Sequence, residues 1–299
     1  MLDESVAFVL SERARRDDAT IVDATFGAGG HTKEILARQP RARVIALDAD
    51  PAAVERARAL AGSYPGRIIA VHANFADLDE ALDEAGVREV DGILFDFGIS
   101  SIQLADPARG FSFSGDEPLD MRLDPTSDDP TAADVLASLS ERELADLIHG
   151  GGDERLANRI AHQIVVRRER SPLRTTTDLV AAIFAARPRN APRSSIHPAT
   201  RTFQALRMAV NDELHRVERG LDAAARRLGI GARAVAISFH SGEDRVVKST
   251  FRRWERDGFS TILTRKPIAA SARERAANPR SRSAKLRAAE RITEDVSWR

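Results

Sequence analysis

Residues 20–50, TIVDATFGAGGHTKEILARQPRARVIALDAD, constrain this chain more than any other stretch. A short β-branched segment at 20–24 runs into a glycine cluster. A helix-like segment follows at about 31–38, then a second apolar segment at 43–47 that closes on acids. Strand, tight loop, helix and strand in that order make a parallel βα unit. Glycines at 27, 29 and 30 permit positive φ and let a ligand come close to the main chain. Asp48, closing the next strand, can accept hydrogen bonds from ribose hydroxyls. The pattern points to a nucleoside-containing ligand; a glycine-rich connection that binds nothing is the plainer alternative. Thr32 stands where the dinucleotide fingerprint wants its third glycine, which weakens a nicotinamide-enzyme reading.

The same rhythm continues downstream. Pro51 opens a helix over 52–61, 67–72 reads as a strand, 77–85 as a helix stopped by Gly86, and 91–95 as a fourth strand. The expected fold class is therefore α/β, a doubly wound, mostly parallel sheet. In such sheets ligands sit beyond the carboxyl ends of the strands, here residues 23–30, 48–50, 73–75 and 96–101. Ahead of the first strand, Leu2, Val6, Phe8, Val9 and Leu10 share one broad helical face.

After the fourth strand the pattern changes. Residues 105–196 contain no convincing strand but helical segments at 132–136, 141–149, 154–169 and 176–186, punctuated by prolines that include Pro107, Pro118, Pro172 and Pro192. A structureless loop of that length is uncommon in a compact domain, so an inserted helical subdomain is the economical reading. One long helix is expected over 199–228, with Phe203, Leu206, Val210, Leu214, Val217 and Leu221 at three- and four-residue intervals. A strand at 232–239, a helix at 244–256 and a last strand at 259–263 resume the parallel units. This divides the chain into a discontinuous core, 1–104 and 197–299, and the insertion, 105–196.

Composition narrows the function classes. Lysine plus arginine balances aspartate plus glutamate at 45 each, so any nucleic-acid signal must be local. There is no cysteine, which removes disulfides and thiolate chemistry and fits a reducing cytoplasm. No apolar run approaches the roughly 18 residues of a membrane span. The local signal lies near the carboxyl terminus, where residues 265–291 carry nine cations, among them Arg280, Arg282, Lys285, Arg287 and Arg291, against Glu274 and Glu290. A charge run is usually a solvated face; the alternative is a basic tail that contacts phosphates.

Four segments carry more than architecture: TFGAGGH at 25–31, ALDADP at 46–51, DGILFDFGISSIQL at 91–104 and ISFHSGEDRVVK at 237–248. Together with RGFSF at 109–113, LDMRLDP at 119–125 and HPATRTFQALRMAVNDEL at 197–214, they closely resemble the MraW/RsmH family. The resemblance spans residues 2–291. It implies a class I, Rossmann-like S-adenosylmethionine methyltransferase core. It also implies an activity, methylation of the exocyclic N4 amine of a decoding-centre (P-site) cytidine in 16S ribosomal RNA within the small subunit. A cytoplasmic enzyme without metal or membrane partner is expected, and a homodimer stays open.

The resemblance also assigns residues. Gly29, Gly30 and His31 match the loop at the methionine end of the cofactor, Asp48 the ribose carboxylate, and Phe75 the wall of the adenine pocket, with Asp96 and Gln103 completing the set. From its own context a lone Phe after a strand is more often core than cofactor wall, and only the resemblance assigns Phe75 to the pocket. Cytosine N4 is a poor nucleophile, so the protein must accept hydrogen bonds from the amine and take the base out of its stack. Asp96 is the candidate acceptor, although the two prolines and aromatic that usually follow such a residue are replaced by Phe97, Gly98 and Ile99. His240 and Asp244 are weaker candidates for contact with the flipped base. Gly242, Ile102 and Leu156 depart from the family pattern, as does the opening Met1, Leu2, Asp3, which lacks the usual preceding stretch. A non-catalytic ribosome-assembly factor and a nicotinamide oxidoreductase are the alternatives.

Overall fold

Side chains along a strand alternate between faces, and the apolar runs of the amino-terminal segment use that alternation to give one sheet two cores. The computed structural model describes residues 1–188 and 196–293. Its strands are β1 (Thr20–Asp23), β2 (Arg43–Asp48), β3 (Ile68–His72), β4 (Val90–Asp96), β5 (Leu228–Ser238), β6 (Ser260–Ile262), β7 (Ile268–Ala269) and β8 (Lys285–Arg291). The helices of the first part are α1 (Leu2–Val9), α2 (Gly30–Arg38), α3 (Pro51–Ala61) and α4 (Leu78–Glu84). Then come α5 (Ser101–Ala105), α6 (Ala132–Ser138), α7 (Glu141–Gly152), α8 (Ala157–Arg168), α9 (Thr176–Ala186) and α10 (Thr200–Val210). The last are α11 (Glu213–Arg227), α12 (Ser241–Arg256) and α13 (Ala272–Ala277). Among the described residues no helix is long and apolar enough to cross a membrane.

The chain forms two compact units, Met1–Gly98 with Leu214–Arg299, and Ile99–Glu213. The first holds the sheet, in the order β3-β2-β1-β4-β5-β8-β6, with β7 paired to β8. Neighbours from β3 to β5 are parallel, while β8 runs antiparallel to both β5 and β6. Val22, Ile45, Leu47, Ile93 and Phe95 face one core, closed by Leu82 of α4, Leu221 of α11 and Trp254 of α12. Ile21, Val44, Ala46 and Leu94 face the other, closed by Val9 of α1 and Ile35 of α2. Each fully buried aliphatic or Phe side chain contributes about 1.5–3 kcal/mol. Gly92 lets α1 lie directly on β4, since a Cβ there would meet Val9 Cγ2 at 2.8 Å.

Three expectations are corrected. The segment 199–228 is two helices, because Asp212 takes the left-handed conformation at φ 45° and breaks the run. Asn211, beside it, is buried and accepts from Leu123 N–H at 2.7 Å while donating to the Met121 carbonyl at 2.8 Å, so its side chain serves a distant loop. The last part of the sheet is not parallel, because among the described residues β6 pairs only with β8 and does so antiparallel. The last part of the basic run, 285–291, is not a tail, whereas Arg280 and Arg282 ahead of it are exposed. Residues 285–291 form β8, in which Arg287 is buried and donates to Asp244 Oδ1 at 2.7 Å, and Lys285 donates to Asp244 Oδ2 at 3.0 Å.

Among the described residues the second unit, Ile99–Glu213, has helices and no strand, and it extends beyond 105–196 at both ends. Residues 189–195, including Pro192, lie outside the described residues, as do 294–299. Its helices begin where their sequences say they should: Thr131 with Asp134, Ser140 with Glu143 and Thr175 with Asp178 form capping boxes on α6, α7 and α9. Arg109 of RGFSF is buried and donates to the Arg122 and Leu123 carbonyls at 2.8 Å. The glycines of α7 let it touch α10; a Cβ on Gly152 would lie 2.4 Å from the Arg201 carbonyl oxygen.

Candidate active site

The carboxyl ends of β1, β2, β3 and β4 open onto one edge of the first unit, and six of the seven expected site residues stand there. The loop between β1 and α2 is stapled to its neighbours by main-chain bonds. Phe26 N–H donates to the Leu47 carbonyl at 2.9 Å, and Gly29 N–H to the Phe26 carbonyl at 2.7 Å. Gly29 has φ 76°, and a Cβ on it would sit 2.6 Å from the Phe26 ring, so no other residue fits. A Cβ on Gly30 would meet nothing within 4 Å. The open space beside Gly30, at the first turn of α2, is where a ligand can approach the main chain.

Asp48 ends β2 and holds this loop in place. Its Oδ2 accepts from Gly27 N–H at 2.7 Å and its Oδ1 from Asp50 N–H at 2.9 Å. Burial nevertheless pushes its carboxyl up to about 6, opposed by those two hydrogen bonds. An ionised carboxylate offers about four acceptor sites. Two are used here, and the side chain is partly exposed. Arg56 closes the arrangement by donating Nε–H to the Gly27 carbonyl at 3.1 Å.

Phe75 follows β3 on a single turn of 3-10 helix capped by Asn74. Its ring packs edge-on to Phe95 at 6.0 Å and tilted against Phe97 at 5.4 Å. Gly220 of α11 makes room for it, since a Cβ there would lie 2.7 Å from Phe75 Cδ2. Phe75 is only partly buried, so it is both core and wall. Asp96 ends β4, with its N–H donated to Thr25 Oγ1 at 2.7 Å. Its side chain is 32% exposed and its Oδ2 lies 3.9 Å from His31 Nδ1, yet its Oδ1 is buried with no hydrogen-bond partner. Burial raises the Asp96 carboxyl, and the nearby His31 opposes the rise.

Asp23, which the sequence reading did not single out, completes the group. It is fully buried at the end of β1, and Thr32 Oγ1 donates to its Oδ2 at 2.6 Å while its Oδ1 has no partner. Burial raises this carboxyl too, again opposed by His31. An acid ending an otherwise apolar strand was the available signal. Gln103 belongs to the second unit, where its carboxamide closes the capping box of α5 by accepting from Ser100 N–H at 2.8 Å.

His240 and Asp244 have structural work of their own. His240 caps α12, in a box completed by the buried Glu243. Asp244 is held below the usual carboxylate range; burial opposes this, but Arg287 and Lys285 outweigh it.

A family model described as the MraW methylase family matches residues 1–292. The chain belongs to the MraW methylase family. A ribosomal RNA small subunit methyltransferase H from Thermomicrobium roseum is 51% identical over 94% of this chain and 90% of the relative. One of the same name from Geotalea uraniireducens is 47% identical over 96% of each. A crystallised rRNA methylase from Streptococcus thermophilus overlaps 98% of this chain and 94% of its own, at 12% identity and a TM-score of 0.43.

Membership gives the edge a chemistry to be tested against its own atoms. The methyl donor, S-adenosylmethionine, carries a positively charged sulfonium and a nucleoside. Two sealed carboxylate oxygens, Asp23 Oδ1 and Asp96 Oδ1, lie at strand ends beside that loop without partners. Leaving such atoms unpaired is costly unless something cationic or hydrogen-bonding comes to them. The open space at Gly30, the spare acceptor sites of Asp48 and the exposed part of Phe75 suit the remainder. The residues present fit the group.

Proposed function

We propose that this chain is a cytoplasmic S-adenosylmethionine-dependent methyltransferase that modifies the N4 amine of a decoding-centre (P-site) cytidine in 16S ribosomal RNA of the small subunit. The observation that carries the reading is the strand edge of a methylase-family chain, where a glycine loop with open space meets three carboxylates whose pKa values are raised by burial. When bound, the cofactor supplies an electrophilic methyl on a sulfonium.

The chain's own residues do the rest. Gly29 and Gly30 admit the methionine end, Asp48 accepts from the ribose hydroxyls, and Phe75 covers one face of the adenine. Gln103, from the helical unit, is assigned to the cofactor by family resemblance alone. The exposed part of the Asp96 carboxylate accepts a hydrogen bond from the N4 amine, which favours a pyramidal nitrogen with its lone pair free. Holding that nitrogen in line with the methyl is worth several powers of ten in rate. His31, 3.9 Å from Asp96, biases that carboxylate toward its ionised form. The helical unit recognises the folded RNA.

The test is transfer of a labelled methyl group to small-subunit RNA taken from a bacterial strain lacking this activity. The expected product is N4-methylcytidine at a single decoding-centre position. Label on another nucleoside, or none after incubation with both free RNA and assembled subunits, contradicts the proposal.

A further inference from the structure

Helix α12 begins at the carboxyl end of β5 and buries Glu243, Val247, Thr250, Phe251 and Trp254. Arg245, Lys248 and Arg252 stand three and four residues apart, so they form one stripe, on the side of the helix away from that core. Arg245 and Arg252 are exposed and Lys248 is partly so. Among the described residues none of the three has an ion-pair partner.

Their neighbours are treated differently. On α12 Arg253 pairs with Asp222 and Arg256 with Asp257, and on α11 Arg219 pairs with Asp77 and Arg226 and Arg227 with Asp79. Folding alone does not favour the exception. Like charges three or four apart on a helix repel, and Arg245 lies close to the positive end of the helix dipole.

The stripe's position supplies a reason. Ile237 of β5 is in register with Asp96 of β4, so α12 starts beside the strand end that carries the proposed amine acceptor. From Arg245 to Arg252 the stripe runs about 10 Å along the helix. That is about three phosphate rises of a stacked strand. Within the basic run near the carboxyl terminus, Lys285 and Arg287 are committed to Asp244 of α12, while Arg280 and Arg282 are exposed.

We propose that the exposed stripe of α12, Arg245, Lys248 and Arg252, seats the phosphate backbone of the RNA next to the target nucleotide. The inference rests on the RNA methyltransferase reading above. It identifies a surface on the sheet-bearing unit, with phosphate as the recognised chemistry and no sequence preference of its own.

The experiment compares the parent protein, the triple variant Arg245→Gln, Lys248→Gln, Arg252→Gln, and a control triple variant Arg16→Gln, Arg43→Gln, Arg88→Gln. The control cations are exposed near the opposite ends of the strands. Affinity for unmodified small-subunit RNA is measured across a salt series, beside S-adenosylmethionine affinity and the thermal midpoint. The stripe variant should lower the slope of log K against log salt by about two to three and weaken RNA binding at least tenfold. Cofactor affinity and the control's slope should not move. Lys248→Gln alone should lower the slope by about one, which keeps the test valid if the triple variant folds poorly. An unchanged slope in the stripe variants, or an equal fall in the control, overturns the stripe while leaving the methyltransferase reading intact. A parent protein that binds cofactor but no RNA overturns both.

Discussion

At the scale of single residues, adjacent glycines separate folding from binding. Gly29→Ala must strain a left-handed backbone and displace Phe26, so it should destabilise the loop by about 1–3 kcal/mol and lower the melting temperature. Gly30→Ala meets open space, so the melting temperature should hold or rise slightly, while S-adenosylmethionine affinity falls at least tenfold. Equal cofactor affinity in Gly30→Ala and the parent would remove the ligand from this loop. Asp48 gives a pH prediction. Its folded carboxyl titrates near 6, above its ordinary 3.8. The stability associated with its neutral form is therefore present below the ordinary value and lost as pH rises through about 6. Cofactor binding has the opposite sense, because ribose hydroxyls donate to the ionised form. Affinity should fall up to tenfold per pH unit below about 6, and Asp48→Asn should bind weakly with that dependence lost. A parent affinity that is flat between pH 5 and 7 would contradict the ribose role.

At the scale of elements, the close approach of α7 and α10 is the most sensitive contact. Gly152→Ala forces the helices apart and should cost about 1–3 kcal/mol, read as a drop in the denaturation midpoint with an unchanged slope. No change would mean that the helices separate without strain. What the sequence allowed at this scale follows the range of the interactions. The helix starts of the second unit were legible, because Thr131, Ser140 and Thr175 find their partners three residues away. The break between α10 and α11 was not, because Asn211 bonds to Leu123 and Met121, 88 and 90 residues distant. The strand β8 hid behind its charges. Its charges read as solvated until Asp244 on α12 pairs with Lys285 and Arg287, and Arg233 on β5 with Glu290 at 2.7 Å.

At the scale of the whole molecule, the parallel half of the sheet was legible because each strand is a compact apolar run and each helix returns within a few turns. The antiparallel β8, inserted between β5 and β6, needed pairings that only the folded chain supplies. The candidate site divides in the same way. Gly29, Gly30, Asp48 and the strand-end position of Asp96 follow from local pattern, and the roles of His31, Phe75 and Gln103 came from family resemblance. Asp23 escaped notice because its meaning depends on Thr32 and His31 gathering around it. The central claim is that the edge formed by the ends of β1 to β4 holds the methyl donor. A crystal structure of the protein with S-adenosylhomocysteine tests it most directly. The prediction is a ligand with its amino-acid end against Gly30 and His31, its ribose on Asp48 and its adenine on Phe75. A ligand bound elsewhere, or with Asp48 and Phe75 untouched, would contradict it.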